Sequence, residues 1–385
     1  TVFALVVVAV GVYGYGQKYR YWPVFSTMNR EFSKGMVLYL TEHARIQSTF
    51  GGHYDLAAFL VIALNMMLAL GLKHTKNWKK LFYHLVHLIG LWLLIMTGSR
   101  SSFGSYLVGA FLVIILLAKD QTDNWKKVKW AGSRIVLLSL LSLIMMISFG
   151  QDMYDRFLHV IKAYPIVHNT YHDLNDQRKK VQDWTLASLG IQEARKPENG
   201  MGVDDQGVLT ASDERPTPDK PKTRPDDVYK DIPVTEKVAT TSADGTTTYV
   251  DVEKARTWSD NALKYGLSVA IRLDTLWPNA IKGFWRNPLL GSGYATLNKE
   301  GTYQFTEAES TDNNFLRTLG ETGLLGFVSF YGIIGLSLYL AYKFYQVDRT
   351  LTTAISVGFI GSTVGLLINA TYIDVFAASK VAFTY

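Results

Sequence analysis

The chain is 385 residues long, 48% hydrophobic and carries a formal net charge of +6. It contains no cysteine, which excludes disulfides, thiolate metal sites and cysteine nucleophiles. Such a length would hold about two or three soluble domains, but apolar and highly polar blocks alternate so sharply that membrane spans consume much of it.

The first apolar run, 1–16, lacks the basic start and cleavage site of a signal peptide and reads as the tail of a span. Six more runs follow, at 56–73, 81–97, 103–118, 135–149, 322–343 and 351–371. Each approaches the ~20 residues a helix needs to cross a bilayer, and helix is the state that satisfies the backbone there. Met36 to Leu40 is too short to span and reads as part of an interfacial helix. The abrupt start at Thr1 and stop at Tyr385 read as a fragment lacking helices at both ends. The expected fold is an all-α polytopic membrane protein with about seven transmembrane helices and a large helical extracytoplasmic loop. Residues 1–149 would hold five spans with short loops, 150–321 the loop region, and 322–385 the last two spans.

Loop charge sets the expected orientation. Lys73, Lys76, Lys79 and Lys80 follow the second span, Lys119, Lys126, Lys127, Lys129 and Arg134 the fourth, and Lys343 and Arg349 the sixth. The positive-inside rule makes these alternate loops cytoplasmic. Lys18, Arg20, Arg30, Lys34 and Arg45 then fall on the outer face, against the rule, where an anionic ligand would account for them. Within the outer loop, residues 193–248 are rich in Pro, Asp, Lys, Thr and Gly, a composition that buries little apolar area and reads as a mobile excursion. Met153 to Val167, Leu174 to Leu189 and Trp258 to Phe284 read as amphipathic helices around it.

Four stretches carry candidate chemistry. Thr97-Gly98-Ser99-Arg100-Ser101-Ser102 is a short turn between spans, and it sets Arg100 at the membrane surface, as a phosphate-binding fork or as an interfacial anchor. Arg272 lies among apolar neighbours on a helix, where it is a ligand-binding group or a surface residue. Gly291-Ser292-Gly293 allows close approach of backbone to a ligand or a helix. Asp312 stands where the chain enters a span, as a base of raised pKa or as the N-cap of the following helix. His53 is a second possible base or an interface residue. His84 and His87, three apart in a span, suit hydrogen bonds between helices better than a metal, since no carboxylate or thiolate accompanies them.

In this order the motifs resemble the O-antigen ligase and O-antigen polymerase superfamily of bacterial membrane glycosyltransferases. The resemblance rests on three blocks. They are Arg45-Ile46-Gln47-Ser48-Thr49-Phe50 before a span, Thr97 to Ser101 before another, and Arg272 through Pro288 to Gly293, Asp312 to Leu316 and Glu321 to Gly326. It implies transfer of a glycan from an undecaprenyl diphosphate carrier to a sugar acceptor on the outer face of the bacterial cytoplasmic (inner) membrane. The acceptor would be a lipid A core sugar for a ligase, or a second carrier-linked repeat for a polymerase. Membrane lipids would surround it; no metal, cofactor or nucleic acid is called for. Arg100 and Arg272 match the arginines assigned to the diphosphate, and Arg45 is a third. Fixed guanidinium groups stabilise charge building on the leaving diphosphate. The resemblance implies catalytic roles for Asp312, Arg272 and Arg100, with Gly291 and Gly293 as a structural turn. Where ligases carry a histidine this chain has Asp312, and the Asp312-Asn313 pair resembles polymerase-type members more. The alternatives are a flippase for lipid-linked oligosaccharides, which would need ionisable residues or broken helices deep in its spans, and a scaffold acting through the outer insert.

Overall fold

The computed structural model describes residues 2–25, 37–41, 44–150, 153–154, 180–181, 183–190, 201–203, 234–241, 247–254, 261, 267–297, 311–347, 350–377 and 379–385. Among them are seven helices long and apolar enough to cross a membrane. They are α1 (Val2–Tyr19), α2 (His53–Lys73), α3 (Asn77–Met96), α4 (Arg100–Leu117), α5 (Asn124–Phe149), α8 (Asn314–Tyr345) and α9 (Thr350–Asn369). Between α5 and α8 lie α6 (Leu267–Ile271), a π-helical turn (Arg272–Leu276) and α7 (Trp277–Arg286), and a short α10 (Ser379–Ala382) follows α9. This is the architecture of a multi-pass membrane protein, helical apart from four short strands among the described residues.

Residues 1–210 and 280–385 form one compact unit, and 211–279 another. In the first, α2 is the central helix, apolar on every side and 83% buried over its span, as an all-round hydrophobic helix must be. The hairpin α3–α4 straddles it: α3 packs mainly on α2, α4 packs on both α9 and α2, and the two touch each other little beyond their turn. Helix α9 closes the group against α2 and α4. Its small residues permit this, since a Cβ on Gly358 would meet Met66 and Ala69, and one on Gly365 would meet Val61 and the Ser105 carbonyl. Buried polar groups hold the helices in register. Ser362 Oγ donates to the Ile62 carbonyl at 2.8 Å, and His87 Nε2 lies 2.8 Å from the Tyr106 hydroxyl, between α3 and α4. Helices α5 and α8 instead leave Leu137, Ile144, Ile333 and Leu336 exposed, a surface suited to lipid.

The three basic loops lie at one end of this bundle. Lys73 pairs with Asp120, and Lys119 Nζ donates to the Tyr345 carbonyl at 2.6 Å while lying over the Tyr345 ring.

One expectation is corrected. Leu38–Leu40 is not helical: it forms β1, paired in parallel with β2 (Met201–Val203). A run of apolar and aromatic residues this short favours the strand once a partner is supplied from far along the chain. The expected sixth span, 322–343, lies within α8, where a first helical stretch from Asn314 precedes a break at Gly323 (φ 65°, ψ −167°). Within the stretch 193–248, read as a mobile excursion, lie β2, β3 (Val234–Thr241) and the start of β4 (Thr247–Lys254). Strands β3 and β4 pair antiparallel, Val238 opposite Val250, within the second unit; in the sequence, Asp244-Gly245 between two Val/Thr-rich runs is a hairpin signal. The rest of that stretch, most of 153–189, and 255–260 and 262–266 fall outside the described residues.

Candidate functional site

At the end of the bundle opposite the basic loops, the Arg45 segment crosses the α3–α4 turn. Arg45 is buried, and its side chain lies over Gly98: a Cβ there would sit 3.1 Å from Arg45 Cδ and 3.2 Å from Nε. Gly98 also holds φ 63°, so glycine is required twice over, for the turn and for the arginine above it. Arg45 Nη1 lies 2.7 Å from His53 Nε2. A guanidinium only donates, so His53 Nε2 accepts and its proton sits on Nδ1. His53, buried at the start of α2, thereby orients Arg45.

Arg100 is the first residue of α4 and is exposed. Ser99, its N-cap, makes no side-chain cap hydrogen bond; its hydroxyl donates to Ser102 Oγ at 2.8 Å instead. Ser102 in turn accepts from Asn369 Nδ2 at 3.0 Å, tying this turn to the end of α9. The first-turn amides of α4, the positive end of its dipole, are therefore not capped by Ser99. One residue past Asn369, the Ala370 carbonyl accepts from the Asn314 amide at 2.8 Å, which brings the Asp312 loop to the same end.

Asp312 is not the N-cap of α8. Asn313 is: its Oδ1 accepts from the Leu316 amide at 3.0 Å. Both residues suit the position, and the loop decides between them by placing Asp312 at φ 51°, outside the helix. The amides on either side of Asp312 donate to one carboxylate: Thr311 to Asp374 Oδ2 at 2.8 Å and Asn313 to Asp374 Oδ1 at 3.0 Å. Asp374 also accepts from Arg317 Nη1 at 3.2 Å.

Gly291 and Gly293, with φ of 77° and 100°, make a turn laid against the Gly323 break. Four backbone bonds stitch the two together: Ser292 and Gly293 amides to the Gly320 and Glu321 carbonyls, each 2.9 Å, and Leu324 and Leu325 amides to Pro288 and Leu289, at 2.9 and 3.2 Å. The glycine pair thus serves backbone against helix.

Arg272 belongs to the second unit. It is buried and opens the π-helical turn, a backbone irregularity that recurs at functional sites. So the first unit brings Arg45, Arg100 and Asp312 to one end, and Arg272 stands in the other unit. Among the described residues no group of three or more His, Asp or Glu is placed to hold a metal. Asp374 and Arg317 stood out in no reading of the sequence and Glu321 only as the start of a resemblance block; the i,i+4 spacing of Arg317 and Glu321 signalled part of their network. The chain matches no family model, no curated protein and no solved structure.

Proposed function

We propose that the protein is a membrane glycosyltransferase of the O-antigen ligase/polymerase type. It moves a glycan from an undecaprenyl diphosphate carrier to a sugar acceptor at the outer face of a bacterial cytoplasmic membrane, and acts as a polymerase. The observation that carries this reading is the N-terminus of α4, whose first-turn amides Ser99 leaves uncapped, with Arg100 on it and Arg45 laid across the preceding turn. Amides, helix dipole and guanidinium groups at one membrane face suit a diphosphate, and they suit its leaving-group charge better still. Asp312, held outside the helix at the same end, is the group offered to the acceptor hydroxyl. Arg272 is assigned to the diphosphate by resemblance.

The test uses the protein in liposomes with a diphosphate-linked lipid glycan, following glycan length and release of free carrier. Wild type is compared with Arg100→Ala and Arg272→Ala. Growth and release in the wild type, lost in both variants, support the reading. A substrate that crosses the bilayer with neither growth nor release overturns it in favour of a flippase.

A further inference from the structure

Two of the non-glycine residues at positive φ, Ala295 (55°) and Asp312 (51°), sit in loops that one charge network holds. The Ala295 amide donates to Glu321 Oε1 at 3.0 Å. Glu321 Oε2 accepts from Arg317 Nε at 3.4 Å, and Arg317 Nη1 reaches Asp374, which grips the amides flanking Asp312. The three side chains are 12%, 8% and 6% exposed for Arg317, Glu321 and Asp374. Left-handed backbone at residues with a Cβ persists only where surroundings over-determine it. Here each such loop is tied to a carboxylate, and one guanidinium holds both carboxylates.

We propose that Arg317 is a positioning residue: it clasps Glu321 and Asp374 together, so that the Ser292–Leu297 loop and the Asp312 loop are fixed as one. The chemistry supports a coupling rather than two separate anchors. Two carboxylates share one cation, all nearly out of water, so removing it deprives both of the guanidinium they share. Each carboxylate then gains by turning to water or taking a proton, and either response releases the amide bonds it makes. A guanidinium bridges both partners with separate nitrogens; a lysine ammonium is a single point and cannot keep both geometries. Through its turnover arm alone, the proposal rests on the glycosyltransferase reading, with Asp312 offered to the acceptor.

Amide hydrogen exchange of the protein in lipid nanodiscs reads the clasp without any activity. Wild type, Arg317→Met and Arg317→Lys are compared at the amides of Ala295, Thr311 and Asn313. The Met variant is expected to exchange faster at both loops, by on the order of tenfold or more, the loss of one charge-assisted bond at each. The Lys variant, which keeps the charge if Met prevents folding, is expected to speed at least one loop. Wild-type exchange at both loops in either folded variant overturns the clasp. In the liposome assay Arg317→Lys should lower turnover while leaving the KM for the carrier unchanged. Coupled exchange in a protein that transfers no glycan supports the clasp and sinks the functional reading. Uncoupled exchange in an active protein does the reverse.

Discussion

Replacing Gly323 by alanine should unfasten the turn at 288–293 from helix α8. Gly323 sits at φ 65° and ψ −167°, a region open essentially to glycine alone, where another residue bears about 1–3 kcal/mol of strain. A Cβ there would also lie 2.5 Å from the Gly291 nitrogen and 2.6 Å from the Leu289 carbonyl oxygen. Both are backbone atoms and cannot swing aside as a side-chain tip would, so overpacking adds about 1–3 kcal/mol. The sum, about 2–6 kcal/mol, is comparable to the four backbone bonds of the seam at about 1 kcal/mol each. The cheaper outcome is for the seam to open. Hydrogen exchange at the amides of Ser292, Gly293, Leu324 and Leu325 should therefore accelerate by about a hundredfold or more. Gly332→Ala is the control, because a Cβ at that position on the same helix meets open space; it should be neutral or slightly stabilising through helix propensity. Wild-type exchange at the seam in Gly323→Ala, or an equal loss in Gly332→Ala, would refute the reasoning.

Asp312→Asn isolates the carboxylate from the backbone, since asparagine also tolerates the left-handed region. Turnover should fall by about 10²–10⁴ with the fold intact if the carboxylate takes the acceptor proton; liposome assays showing wild-type turnover would end that role. His53→Ala removes the acceptor that orients Arg45, and carrier affinity should weaken about tenfold, the worth of one charge-assisted bond, as titration of binding would show. Between α3 and α4, Tyr106→Phe leaves His87 without this partner and should cost about 1–3 kcal/mol. The double variant His87→Leu with Tyr106→Phe should cost less than the sum of the single changes. A denaturation series giving strict additivity would mean that the bond contributes nothing.

The spans were legible because a bilayer imposes one demand, an apolar run about 20 residues long, and each run meets it within its own sequence. The turn carrying Arg100 was legible for the same reason: two such runs leave only Thr97 to Ser99 between them. What the sequence withheld depends on distant partners. Asp374 meets Thr311 across 63 residues of chain, and nothing local distinguishes it from any other loop aspartate. The strand at Leu38–Leu40 exists because Met201–Val203 lies beside it. At Asp312-Asn313 two equally good capping residues stand side by side, and only the loop's path, fixed by Asp374, selects the second. Arg45 looked like an outer-face basic residue, yet it is buried against Gly98 and His53, a placement that charge counting could not foresee.

The way α3 and α4 straddle α2 has a consequence for biogenesis. A hairpin whose arms barely touch cannot zip shut as it leaves the translocation machinery; it waits on its flanks. Helix α9 supplies much of what α2 and α4 lack, and it is synthesised long after them: Ser102 meets Asn369 across 267 residues of chain. Such non-local closure is slow. Until α9 arrives, the nascent protein presents Ser102, Asn65 and the grooves that receive Gly358 and Gly365 to lipid or to quality-control proteases. Substitutions that bulk up this face of α9 should therefore show first as lost abundance in the cell, with the surviving molecules working normally.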